Sequence, residues 1–235
     1  MTEKKNSFKR PSAKHQPKGL TILYEDHDII VVDKVAGLLT MATELEKQKT
    51  AYFLLTDYVR KGVQRSKNRV FIVHRLDRDT SGILVFAKNP KAKNYLQENW
   101  QHFSKTYYAV VHGKLEEKDS IISSELSEDR DLKVSSKDDS EKAKYSKTRY
   151  KVVAESGKYS LLEINLLTGR KHQIRVHFSE HGHPIVGDKI YGNKGKGAQR
   201  LALHSGSLSI RHPYTEDDMT FKTEIPDYFK ALVKL

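Results

Sequence analysis

The tightest constraint on this chain is a short polar segment held between two apolar runs. Val70-Phe71-Ile72-Val73 leads directly into His74-Arg75-Leu76-Asp77-Arg78-Asp79-Thr80-Ser81-Gly82, and Ile83-Leu84-Val85-Phe86-Ala87 follows at once. The first run reads as an apolar strand, since β-branched and aromatic residues fill it. It therefore delivers a cluster of charged residues into a tight loop at one end of a sheet. Any fold for this chain has to be built around that strand and loop.

The flanking sequence supplies the rest of an α+β fold. Leu20–Leu23 and Asp28–Asp33 read as strands bounded by Asp, and Gly37 marks a turn. Residues 50–61 read as a helix with Thr50 as cap, Leu54, Leu55, Tyr58 and Val59 on one face, and Gly62 at its end. Asn89-Pro90 opens a second helix, in which Ala92, Tyr95, Leu96, Trp100 and Phe103 form one stripe, so Trp100 is assigned to the core. Residues 106–111 form a strand. Residues 114–147 are charged and serine-rich, an irregular excursion with one short strand. A hairpin turns at Gly157. Residues 168–182 read as a turn and a helix closed by Gly182, and residues 192–197 as a flexible loop. Short strands at 201–204, 207–210 and 219–222 finish the sheet. Strands outnumber helices and several are joined as hairpins, which favours α+β over α/β.

Residues 1–19 are polar and basic, with Pro11, Pro17 and Gly19, and read as a disordered arm; residues 20–235 read as one catalytic domain. The arm has no apolar core and is not read as a secretory signal. No apolar run reaches the length of a membrane span, so a cytoplasmic protein is expected. There is no cysteine among the 235 residues, which excludes disulfides, thiolate nucleophiles and thiolate metal sites. The net charge is +12. The arm accounts for part of this, but the body is basic too, and such an excess favours a polyanionic partner.

Three clusters carry chemistry. Asp77 lies within two residues of Arg75 and Arg78, and neighbouring guanidinium groups keep a carboxylate ionised. An ionised carboxylate serves as nucleophile or base; taken alone, such an acid is more often a loop-capping residue. Thr168-Gly169-Arg170-Lys171-His172-Gln173-Ile174-Arg175-Val176-His177 gathers basic side chains at a helix start, suited to phosphate, although a solvated basic face is the commoner case. Lys105-Thr106-Tyr107-Tyr108 brings a lysine and two tyrosines into a strand, where a ring can stack on a base or simply on a neighbouring strand.

From Leu20 onward, the order and wording of the motifs resemble the RluA-type RNA pseudouridine synthases. The segments that carry the resemblance are residues 22–34 with 36–40, 74–88, 104–114, 148–153, 167–192 and 201–213, of which His74–Gly82 and Thr168–His177 are the most specific. The resemblance implies a pseudouridine synthase catalytic fold: a central, mainly antiparallel sheet flanked by helices, with an RNA-binding cleft. It implies that Asp77 is the catalytic aspartate, that Tyr107 stacks on the target uracil, and that Arg175 pairs with the aspartate. Arg75, Lys105, Arg170, Lys171 and His172 are expected to contact RNA. The implied substrate is a uridine in ribosomal or transfer RNA. No cofactor, metal or obligate protein partner is expected, and a monomer is the expected state.

Two departures stand out. The family turn Lys-Pro-x-Gly is here Lys34-Val35-Ala36-Gly37, and loss of the proline is expected to loosen it. About nineteen residues precede the catalytic body, too few for the RNA-binding domain of longer relatives. Three rival readings are weighed. Asp77-x-Asp79-Thr80 resembles a phosphatase motif, but His74-Arg75 intervene after the strand and the threonine stands one place early. His172, His177, His181 and His183 could form a metal site, yet no carboxylate at ligand spacing accompanies them. A non-catalytic RNA-binding module would share the charge but has no need of an intact Asp77, Tyr107 and Arg175.

Overall fold

The computed structural model describes residues 10–43, 46, 48–63, 65–128, 133–136, 143–192 and 200–235. The backbone divides into two compact units, Met1–Trp100 with Arg211–Phe221, and Gln101–Ile210 with Lys222–Leu235.

The first unit holds β1 (Leu20–Glu25), β2 (Ile29–Lys34), α1 (Ala51–Arg60), β3 (Phe71–Ile72), β4 (Ser81–Ala87) and α2 (Pro90–Glu98). β2 pairs with both β1 and β4, and β3 pairs with β4, all antiparallel. Every residue of β4 is buried, which is why its sequence is a continuous apolar run rather than an alternating one. The helix caps follow the local chemistry: Thr50 accepts from Phe53 N and Asn89 accepts from Ala92 N. Lys61 takes a left-handed φ of 52° as the last residue of the cap, followed by Gly62 at φ 75°.

The second unit holds β5 (Ser104–His112), β6 (Asp119–Glu128), β7 (Val134–Ser135), β8 (Lys144–Glu155), β9 (Tyr159–Leu166), α3 (Gln173–Glu180) and β10 (Leu203–Arg211). β11 (Asp218–Lys222) and α4 (Asp227–Val233) complete the chain. Within this unit the strands run β10-β5-β9-β8-β6-β7, each pair antiparallel. The register assigns the two faces. Tyr107 is opposite Ile164, Ile164 opposite Tyr150, and Tyr150 opposite Ser120. The Phe178 ring of α3 meets Tyr150 at 5.4 Å, so α3 covers the face that carries Tyr107. Tyr108 is opposite His204, whose ring meets Phe229 of α4, so α4 covers the other face.

Several expectations change. Pro11–Gly19 is not irregular throughout: Ala13–His15 form a 3-10 turn, and Gln16 Oε1 accepts from Ile22 N at 2.7 Å while its Nε2 donates to Pro11 O. A glutamine amide that reaches a strand end satisfies groups at both its atoms, and this ties down residues 11–16. Residues 1–9 of the expected arm lie outside the described residues, as does most of the expected 192–197 loop. The excursion at 114–147 contains the ten-residue β6 and the short β7. The two strands expected at 201–204 and 207–210 are one, β10, whose register shifts between Ser205 and Ser207. Gly206 occupies the irregular step, and the Tyr108 ring packs where its side chain would be: a Cβ there would lie 2.5 Å from ring carbons. A Gly206→Ala substitution is expected to cost about 2 kcal/mol of stability through overpacking, read as a lowered urea midpoint with an unchanged slope.

Candidate active site

Asp77 and its neighbours occupy the loop between β3 and β4, within the first unit. The loop carries no regular hydrogen-bond ladder, so its backbone groups need other partners. Thr40 supplies two of them: its Oγ1 accepts from Leu76 N at 3.1 Å and donates to Leu76 O at 2.8 Å. Gly37 N donates to Arg78 O at 2.8 Å, and Thr80 N to Asp77 O at 3.2 Å. The residues on both sides of Asp77, Leu76 and Arg78, are therefore held by the segment that follows β2.

The ammonium of Lys34 completes this clamp. Its Nζ donates to Val35 O at 3.1 Å, Leu38 O at 2.8 Å and Arg78 O at 3.1 Å, and the side chain is fully buried. Three carbonyls match the three N–H groups of an ammonium. The segment itself is fastened to α1, whose first amides would otherwise be unpaired. Ala51 N donates to Leu39 O and Tyr52 N to Thr40 O.

The start of the loop is fixed by His74. Its Nε2 accepts from Val85 N at 3.1 Å, and its ring stacks on Trp100 with centroids 4.2 Å apart. A ring nitrogen that accepts an amide proton carries none of its own, so the imidazole is held in the Nδ1–H form. Trp100, assigned to a helical core stripe, instead lies beyond the end of α2 in a 3-10 turn, half-buried against His74. The helix ends sooner because Asn99 turns back, its Nδ2 donating to Tyr95 O. Arg75 and Arg78 are exposed beside the half-buried Asp77, and Arg78 faces Glu46 at 3.3 Å.

The Val35 turn, expected to be loosened, has a hydrogen bond of its own. Val35 N donates to Gly19 O at 3.1 Å, a bond no proline could make. The turn exchanges a rigid ring for a hydrogen bond.

In the second unit Lys105 and Tyr107 alternate onto one face of β5, and Lys105 is buried enough to lower its pKa. Arg175 lies on α3, over the same face of the sheet. Its guanidinium pairs with Asp188, Nε to Oδ2 at 2.7 Å and Nη2 to Oδ1 at 2.9 Å, both side chains being buried. Burial alone would raise the Asp188 pKa, but Arg175 and the amides of Tyr191 and Ile190 hold it below the ordinary carboxylate value. The Arg175 guanidinium also lies 5.2 Å from the Tyr191 ring centre. Arg170, Lys171 and His172 form the turn before α3, in keeping with the turn and helix read over residues 168–182, with His172 at φ 53°. Sequence reasoning missed Lys34, Thr40 and Asp188 as supports; the one available signal was a charged residue ending each of two otherwise apolar stretches.

The four histidines of the metal reading serve four separate purposes. His172 Nδ1 is bonded to Tyr191 Oη, His181 Nδ1 to His177 O and His183 Nδ1 to His112 O. His177 Nε2 lies between Ser146 Oγ and Ser124 Oγ. Among the described residues, Asp26, Asp28 and His212 do have ligand spacing. There Asp26 already accepts from the amides of Asp28 and Ile29, from Tyr24 Oη and from His212 Nε2, so the cluster is a hydrogen-bonded knot.

Comparison with known proteins adds an independent line. The sequence profile of the RNA pseudouridylate synthase family matches residues 28–180. The chain is 34% identical over 238 residues to tRNA pseudouridine synthase C of Vibrio vulnificus, covering 91% of this chain and 94% of that one. It is 35% identical over 199 residues to the dual-specificity RNA pseudouridine synthase RluA of Vibrio cholerae, covering 83% and 78%. Among solved structures, human RNA pseudouridylate synthase domain containing 1 superposes with a TM-score of 0.74 at 26% identity, covering 95% and 89%.

Two outcomes follow from the geometry. Lys34→Met removes the ammonium at similar length and strands three carbonyls; a loss of about 3 kcal/mol is expected, read by the fluorescence of the single Trp100 during urea unfolding. His177 and His204 are each depressed by burial to about 4 from 6.5. Unfolding therefore takes up protons on both, so stability falls as pH drops through the window from about 6.5 to about 4. Measuring the unfolding free energy against pH for the parent and for His177→Gln should show a shallower slope in the variant.

Proposed function

The chain belongs to the RNA pseudouridylate synthase family, of RluA type, and from that premise we propose that Asp77 is the carboxylate with which it isomerises uridine in RNA. The observation that carries this reading is the clamp on the Asp77 loop, with Leu76 tied to Thr40 and Arg78 to Lys34 and Gly37. A reaction that rearranges bonds within one bound nucleotide gains most from a reactive group already held in place.

The chemistry breaks the N1–C1′ bond of uridine, turns the uracil and joins C5 to C1′. The C5 proton leaves to solvent and N1 ends protonated, so substrate and product are isomers and atoms and electrons balance. Two routes are open to Asp77: attack on the nucleotide to form a covalent adduct, or removal of a ribose proton to give a glycal. Tyr107 is proposed to stack on the uracil and Arg175 to balance the reacting carboxylate. Its pairing with Asp188 presents that guanidinium in a set orientation. Arg75, Lys105, Arg170, Lys171 and His172 are proposed as RNA contacts, since extruding a base costs a few kcal/mol that phosphate contacts offset.

Residues 20–235 are proposed to act together as the catalytic body, as a monomer in the cytoplasm. Among the described residues no helix is long and apolar enough to cross a membrane. The substrate is proposed to be transfer or ribosomal RNA; a relative named as a tRNA pseudouridine synthase, matched over nearly its whole length, supports the former. A non-catalytic RNA-binding role makes the opposite prediction for one variant. Asp77→Asn is expected to retain RNA binding while tritium release from C5-labelled uridine in bulk RNA falls by at least ~10²-fold. Release at the parent rate would end the assignment of Asp77, and loss of binding together with release would assign it a structural role.

A further inference from the structure

The turn before α3 sets Arg170, Lys171 and His172 side by side, and each is tied within the molecule. Arg170 Nε donates to Tyr145 O at 3.3 Å, and His172 Nδ1 shares a hydrogen bond of 2.8 Å with Tyr191 Oη. Lys171 Nζ is ion-paired with Glu128 at the end of β6. Of these partners a carbonyl and a phenol carry no charge, whereas Glu128 carries a full negative one. Its backbone is fixed by pairing with Val134 of β7. The pair remains open to solvent, with side-chain exposures of 30% for Lys171 and 39% for Glu128. A protein of net charge +12 thus keeps an acid on one of its most basic turns.

We infer that Glu128 is a specificity-determining residue, a resident anion on Lys171 that an RNA phosphate has to displace. The inference rests on reading the 170–172 turn as an RNA contact. Non-specific RNA binding is driven by exchange of condensed counterions for protein cations. A lysine already neutralised by a carboxylate contributes little to that exchange. An RNA whose shape engages the neighbouring groups at once offsets the displacement of Glu128, whereas a shapeless strand does not. Glu128 thereby weakens binding to unstructured RNA while leaving Lys171 available to a fitted substrate, which is specificity gained by a repulsive element.

The test is equilibrium binding of a 20-nucleotide oligouridine, followed by anisotropy over a range of KCl concentrations with the full chain. Glu128→Gln is expected to tighten binding and to steepen the slope of log K against log salt by about 0.7, the value for one added phosphate contact on a single strand. Lys171→Gln is expected to leave the parent slope unchanged but to remove the added steepness in the Glu128→Gln background. Arg170→Gln, whose charge faces a carbonyl, is expected to lower the slope in both. An unchanged slope in Glu128→Gln overturns the inference, and a lowered melting temperature with that unchanged slope identifies Glu128 as a structural stitch instead. Should Glu128→Gln not fold, Lys171→Gln alone decides: a slope lowered by about 0.7 in the parent background overturns the inference, and an unchanged one supports it. If neither Arg170→Gln nor Glu128→Gln moves the slope while the parent still converts uridine, the turn is no RNA contact and the inference fails with the enzymatic reading intact. A parent that neither binds RNA nor converts uridine ends that reading itself.

Discussion

A buried ammonium on three backbone carbonyls is the interaction on which the candidate site depends. Removing a charge from water costs several kcal/mol unless its hydrogen-bonding capacity is met. Lys34 meets it by drawing Val35 O and Leu38 O, close in sequence, onto Arg78 O, forty-four residues away. The turn after β2 and the loop before β4 are thereby tied to each other. Thr40 closes the same clamp from the other side of Asp77, and the first turn of α1 secures Thr40 by giving its amides to the carbonyls of Leu39 and Thr40. A polar loop without a ladder of its own is thus hydrogen-bonded on both sides of Asp77.

The second unit reaches a similar end with a different device. Its helix α3 buries three polar side chains, Gln173, Arg175 and His177, where an ordinary amphipathic helix would bury aliphatic ones. Each has a partner: Gln173 bonds Thr168, Arg170 N, Lys147 O and Thr148, Arg175 bonds Asp188, and His177 lies between Ser124 and Ser146. Polar groups at low dielectric tolerate one arrangement and penalise the others, so they set the rotation of α3 on the sheet more sharply than aliphatic packing does. Burial also keeps His177 neutral near pH 7, which removes it from charged contact with phosphate. The basic turn ahead of α3 inherits its geometry from this network, because Gln173 and Tyr191 hold its two ends.

A scaffold of this kind suits an isomerisation. Substrate and product have the same atoms, so the proposed reaction gains from groups that are held still while the base turns. The supporting residues touch no substrate in the proposed chemistry, yet they set the precision with which the reacting groups are held.

Much of this was legible in the residues alone. The apolar runs at 70–73 and 83–87, the caps at Thr50 and Asn89 and the hairpin at Gly157 follow from side-chain chemistry that acts over a few residues, and the structure has elements at each of them, although the first run keeps only the two half-buried residues Phe71–Ile72 as strand. The candidate residues were legible through motif wording, because His74–Gly82 and Thr168–His177 carry their chemistry in consecutive positions. What failed was everything decided by a distant partner. Trp100 left its predicted helix to stack on His74, two predicted strands merged into β10 around the Tyr108 ring, and the Val35 turn was secured by Gly19. Lys34 and Asp188 looked like ordinary charged residues because burial and hydrogen-bond partners are properties of a neighbourhood, not of a position in the chain. Local sequence determined which elements form and which groups are candidates for the chemistry; tertiary packing decided what holds them, since the carbonyls, rings and carboxylates that do so arrive from tens of residues away.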